Sequence, residues 1–205
     1  MTLGRVEDLI VLVADANMEY AVRGLLTRHA SLGIRSPSHQ IYVHPERDPG
    51  CYLRAAEFLQ PFSRQYHQAL VLFDHDGCGQ ESKTAATLEA EVNARLDVTW
   101  NRRASAIVID PELEAWVWSD SPHVGTILGW AGRDLRAELV AKGLLAQGAQ
   151  KPGDPKGAVE FALSEVKKQR SSALYKRLAE RVSFSRCTDP AFDLFKRTLA
   201  GWFPL

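Results

Sequence analysis

The chain has 205 residues, 45% of them hydrophobic and 24% charged, which suits one globular domain with or without an appendage. Its 25 basic and 25 acidic side chains cancel, and that excludes a strongly basic nucleic-acid module. Three cysteines, Cys51, Cys78 and Cys187, are odd in number, far apart and without a CxxC, so a zinc ribbon or a disulfide framework is not expected and a reducing cytoplasm is. The opening MTLGRVEDLI carries charges where a signal peptide is apolar, and no apolar run approaches the roughly 20 residues of a membrane span. Charge is unevenly spread. Residues 151–205 hold 11 Lys and Arg against 6 Asp and Glu, and residues 1–150 carry the matching acidic excess. This fits a carboxylate site beside a phosphate-binding surface, and equally a pair of ordinary solvated helix faces.

Four apolar runs read as strands in chain order: DLIVLVA (8–14), QIYVH (40–44), ALVLF (69–73) and SAIVI (105–109). They are rich in Val, Ile and Leu and do not alternate with polar residues, the pattern of strands covered on both faces of a parallel sheet. After the first, Met18, Ala21, Val22, Leu25 and Leu26 recur at helical spacing and make one apolar face. CYLRAAEFL follows the second strand, after the turn-rich Asp48-Pro49-Gly50. ESKTAATLEAEVNARL follows the third, with Leu88, Val92 and Leu96 four apart. Each crossover is long enough for a right-handed βαβ unit, so the expected fold is α/β, a mostly parallel four-stranded sheet flanked by helices.

Beyond residue 109 the pattern changes. PELEAWVWSD predicts a helix opened by Pro111, and no strand-like run follows. QGAQKPGDPKG (147–157) is the clearest breaker-rich segment. Past it, AVEFALSEVKKQR, SALYKRLAERV and DPAFDLFKRTLAGWF read as helices. Ser171 or Ser172 can cap the second, and Asp189-Pro190 can open the third. The expected organisation is an α/β domain over residues 1–122 and a helical region over 123–205 packed on it.

In an open α/β sheet, functional groups gather at the carboxyl ends of strands. Asp15 ends the first strand and Glu19 follows a turn later. Asp74 and Asp76 end the third in VLFDHDG. Asp110, Glu112 and Glu114 follow the fourth. If the first, third and fourth strands are neighbours, these acids converge. Carboxylates held close together raise each other's pKa and call for a cation, and hard oxygen donors suit Mg²⁺ or Mn²⁺. Each acid also has a plain structural role open to it: Asp15 and Asn17 as helix caps, Asp76-Gly77 as a turn, Glu112 and Glu114 as first-turn helix acids.

VLFDHDG resembles the first motif of haloacid-dehalogenase-type phosphatases, in which the first Asp is the nucleophile and the second an acid/base. That motif normally lies on the first strand, whereas two strands precede it here. No later strand ends in the acids those enzymes need. The order of the acids is more similar to the Toprim fold of topoisomerases, primases and overcoming-lysogenization-defect nucleases, where a Glu follows the first strand and a DxD the third. DANMEY and PELEAW, with DPKGAVEFAL, YKRLAERV and CTDPAFDLF further on, resemble the small Toprim-like component of methylation-associated anti-phage defence systems over nearly the whole chain. The sequence departs from that pattern at Asp15-Ala16, where the family has Glu-Gly.

The resemblance implies Mg²⁺- or Mn²⁺-dependent phosphodiester hydrolysis on nucleic acid, DNA before RNA, alongside other defence-system proteins. Asp74 and Asp76 would be metal ligands, Glu19 a general acid/base or further ligand, and Glu114 or Glu112 would complete the set with Asp15 nearby. A catalytically silent Toprim-like adaptor remains open. Lys151, Lys156, Lys167, Lys168, Arg170, Lys176 and Arg177 are candidates for a nucleic-acid-binding face, with Arg181 and Arg186 further along. Trp116, Trp118, Trp130 and Trp202 are expected as core or interface anchors. His75 could shuttle a proton, bind a metal or point away, and Cys78 has no histidine to activate it.

Overall fold

The computed structural model describes residues 6–205. Strands β1 (Glu7–Val13), β2 (His39–Val43), β3 (Tyr66–Asp74) and β4 (Ala104–Ile109) form one sheet in the order β2-β1-β3-β4, every pair parallel. Val13 pairs with Val43 on one side and Leu72 on the other, and Asp74 pairs with Ile109. Three of the four apolar runs behave as expected: residues 9–13, 69–73 and 106–109 are almost wholly shielded from solvent. Both β2 and β4 are edge strands, but α9 (Pro190–Trp202) covers β4, whereas β2 buries only Ile41 and exposes Tyr42 and Val43.

The chain steps from β1 outward to β2, then returns past β1 to β3 and β4. With right-handed crossovers, that reversal puts α1 (Ala16–Leu26) on one face and α3 (Arg47–Leu59) and α4 (Ala85–Trp100) on the other. It also makes a topological switch point between the carboxyl ends of β1 and β3, where open α/β sheets bind ligands. Met18, Ala21, Val22, Leu25 and Leu26 form the buried face of α1, and Asp15 caps it. Leu88, Val92 and Leu96 bury α4, extended by Trp100. Asp48, Pro49 and Gly50 lie inside the first turn of α3 and not ahead of it, which proline tolerates because first-turn amides have no partner within the helix.

After β4 the Asp110–Pro111 peptide is cis, and the helix expected from Pro111 is reduced to a 3-10 turn over Leu113–Trp116. Residues 112 to 119 are all buried, so the segment has no solvent face on which an amphipathic helix could form. Helices α2 (His29–Leu32), α5 (Pro122–Leu128) and α6 (Leu135–Ala141) were not foreshadowed by periodicity, being four to seven residues long. α7 (Pro155–Glu165), α8 (Ser172–Arg181) and α9 (Pro190–Trp202) fall where expected, and Asp189 caps α9 with Pro190 at its first position. No strand follows β4 among the described residues.

These helices return to the sheet. α8 packs along α1, and α9 packs on β4. Gly24 allows the first contact: a Cβ there would stand 2.6 Å from the Lys176 carbonyl oxygen and 2.8 Å from Ala179 Cβ. Trp116, Trp118 and Trp130 are buried in the core, and Trp202 lies at its margin. Among the described residues, no helix is long and apolar enough to cross a membrane.

Candidate functional site

β1, β3 and β4 are neighbours, so their terminal acids meet at one edge. Asp15 closes β1 and spends Oδ1 on the Met18 amide at 2.8 Å, the usual bond of a helix cap. Asp74 is the last residue of β3. Its amide donates to Asp48 Oδ1 at 2.8 Å, while its own Oδ1 is sealed from solvent and has no hydrogen-bond partner among the described residues. An isolated buried carboxylate is costly, and here the carboxyl responds by holding its proton. Burial pushes the Asp74 pKa well above the usual carboxylate range, and Asp48, Glu114, Asp15 and Glu112 push it the same way. Burial also raises Asp48, against the hydrogen bond from the Asp74 amide.

Past Asp74 the chain keeps pairing with the segment after β4. The His75 amide donates to Ile109 O and the Asp76 amide to Pro111 O, each at 2.9 Å. Asp76 is exposed and stands 4.0 Å from His75 Nδ1. His75 turns Nε2 to the Lys83 carbonyl at 2.7 Å. Cys78 is buried.

Glu112 and Glu114 are buried and both engage the C-terminal helices. Glu112 pairs with Lys156 Nζ at 2.9 Å, yet burial still raises its pKa. Glu114 Oε1 accepts from Arg170 Nη1 at 3.1 Å and from the Tyr175 hydroxyl. Burial and Glu114 push the Tyr175 phenol up, so Tyr175 stays protonated and donates. Glu19 is turned elsewhere: Arg23 grips its Oε1 through Nε at 2.9 Å and Nη2 at 2.8 Å.

The structure thus gathers Asp15, Asp74, Glu112 and Glu114 around one edge, leaves Asp76 at its rim and pairs Glu19 with Arg23 along α1. It adds Asp48 and Tyr175, which sequence reasoning missed. HPERDPG held the signal for Asp48, as an acid shortly past the carboxyl end of β2, the one strand whose end sequence reasoning passed over; nothing local marks Tyr175.

Most of the candidate phosphate-binding cations are occupied within the molecule. Lys151 pairs with Asp189 at 2.8 Å, Lys176 with Glu180 at 3.8 Å, and Lys168 donates to the Ile127 carbonyl. Lys156 and Arg170 reach the acid edge itself, with side chains 44% and 35% exposed, so each keeps donors facing solvent. Lys167 and Arg177 are exposed and make no ion pair among the described residues.

In kind, the edge fits a hard divalent cation: every candidate donor is a carboxylate oxygen, and Asp74 Oδ1 lacks any other partner. In placement it is not drawn together: among the described residues, no three His, Cys, Asp or Glu side chains are grouped closely enough to hold a metal ion. The α/β fold and this edge define a parallel-sheet protein with an acid-rich switch point. No protein-family model matches the chain, and no curated protein or solved structure is detectably similar to it.

Proposed function

We propose that this chain is a Toprim-like phosphodiesterase dependent on Mg²⁺ or Mn²⁺ and acting on nucleic acid, DNA first, as a cytoplasmic component of a bacterial anti-phage defence system. The observation that carries the chemistry is the partnerless, buried Asp74 Oδ1 at the switch point, with Asp15 and Asp48 beside it. The defence setting and its partner proteins rest on the sequence resemblance. Asp74, Asp48 and Asp15 are the acids that would have to close on the ion, since they are not grouped tightly enough to hold one as they stand, with Asp76 at the rim. An ion there would supply Lewis-acid charge for phosphodiester cleavage. The chain's own residues do the rest. Asp74 would have to be deprotonated to serve as a ligand, Asp15 is fixed by its helix cap, and Lys156 and Arg170 would offer their solvent-facing donors to phosphate oxygens.

A specific observation also favours the silent adaptor. Lys156, Arg170 and Tyr175 already satisfy Glu112 and Glu114, as a purely structural network would. Calorimetric titration of Mn²⁺ into the wild-type chain and into Asp74→Ala/Asp76→Ala separates the two. Binding that the double variant loses supports the metal site, and cleavage of single- and double-stranded DNA is then assayed. Absence of binding, with and without DNA present, overturns the enzyme reading in favour of the adaptor.

A further inference from the structure

A cavity of about 500 Å³ opens between the segment after the 3-10 turn and helices α5 and α6. It shares no lining residue with the acid edge. Three arginines border it: Arg133, Arg136 and Arg186. None of the three forms a salt bridge, although twelve Lys or Arg ion pairs occur elsewhere among the described residues. Their local bonds leave most of each five-donor fork free. Arg186 donates to the Asp120 carbonyl at 2.6 Å, and Arg136 to the carbonyls of Ala149 and Gln150. Arg133 lies 3.9 Å above the Trp130 ring.

Two acids share the wall, so three arginines face two carboxylates and one positive charge is left over. Asp134 also caps α6 through the Ala137 amide, and Asp120 meets Arg186 through its backbone oxygen. The floor carries a further unexplained donor. Ser119 is 94% buried, and its hydroxyl has no hydrogen-bond partner among the described residues. No bond fixes its rotamer, so rotation about χ1 can turn it to the cavity. Trp118, Val124 and Leu135 make the adjoining wall apolar.

We infer that this cavity binds a small phosphorylated organic molecule of nucleotide size, its phosphate held by Arg133, Arg136 and Arg186 with Ser119, and its organic part along the apolar side of the lining. Unpaired guanidinium forks match phosphate oxygens in geometry and charge. The volume lies within the roughly 300–1,000 Å³ typical of small-molecule sites. The site stands independently of the carboxylate edge.

The test is calorimetric titration of the full chain with AMP, with adenosine and with inorganic phosphate, with Mn²⁺ omitted. AMP should bind at least about tenfold more tightly than either fragment, because each fragment lacks half of the contacts. Arg133→Gln and Ser119→Ala should each weaken AMP binding, Arg133→Gln by about tenfold or more, with unchanged thermal unfolding. Arg133 holds no backbone carbonyl, which makes it the safer arginine to replace. The inference is overturned if AMP fails to bind the folded wild-type chain, if adenosine or phosphate binds as tightly as AMP, or if Arg133→Gln binds AMP unchanged. Asp74→Ala/Asp76→Ala should bind AMP like wild type, so failure at one site is distinguishable from failure at the other.

Discussion

Asp74 concentrates the conflict at the acid edge. One oxygen of its half-buried carboxyl is sealed from solvent near four other acids, and its folded-state pKa lies above that of the unfolded chain. Between those two values the unfolded state has already lost the proton that the native state keeps. Stability therefore falls as pH rises through that interval, by up to about 1.4 kcal/mol per pH unit. Asp74→Asn removes the titration and keeps the shape. In chelator-treated protein it should raise the melting temperature at pH 7.5 more than at pH 5, and in the same variant added Mn²⁺ should no longer stabilise. Differential scanning calorimetry at both pH values reads both effects. A variant that melts lower than wild type at pH 7.5 would mean that the carboxylate has a partner in solution. Asp8 illustrates the opposite sign. Arg35 binds both its oxygens, at 2.9 and 2.7 Å, and holds its pKa below the usual range. The stability it contributes is complete above about pH 4 and is lost as pH falls through the lowered pKa. The pair is partly exposed, so Asp8→Asn should cost no more than about 1 kcal/mol at pH 7 by urea denaturation, with the difference shrinking in acid.

At the scale of elements, two joints hold the C-terminal helices to the sheet. Asp189 is one. Its Oδ1 caps α9 through the Ala191 and Phe192 amides and accepts the buried Trp116 Nε1 at 3.1 Å, while Oδ2 takes Lys151. Asp189→Ala removes a cap worth about 1 kcal/mol and strands a buried indole donor at about 1–3 more. A loss of about 3 kcal/mol is expected in chemical denaturation, with Asp189→Asn keeping most of it. Gly24 is the other joint. An added methyl collides with α8 backbone, so Gly24→Ala should destabilise by about 1–3 kcal/mol, although alanine is the better helix former. Sequence legibility also divides at this scale. The strand runs 9–13, 69–73 and 106–109 declared themselves because burial on both faces leaves continuous apolar stretches. α5 and α6 are two turns each, too short for a period to show, and the stretch after β4 is buried all round, so its Pro-Glu opening suggested a helix that packing does not permit.

Across the whole molecule, the charge asymmetry visible in the sequence acquires a place. Lys156 and Arg170 from the basic C-terminal stretch meet Glu112 and Glu114 from the acidic remainder. The acids were legible because strand ends are legible, and their convergence followed from strand order. Their partners were not, since Arg170 and Tyr175 lie 56 and 61 residues from Glu114 and no local pattern encodes that contact. This network is also the point at which the enzyme and adaptor readings differ in energy. Glu114 is only 4% exposed, so stripping its partners leaves a buried charge, whereas its own neutralisation does not. Tyr175→Phe should therefore cost about 1–3 kcal/mol in the wild-type background and clearly less in Glu114→Gln, a coupling that a double-mutant cycle in urea measures directly. Arg170→Gln carries the functional half. If the guanidinium competes with a cation for the acid edge, its removal should tighten Mn²⁺ binding several-fold while lowering the metal-free melting temperature. A purely structural network predicts the same loss of stability with no gain in Mn²⁺ affinity, so calorimetry on this one variant weighs the two readings against each other.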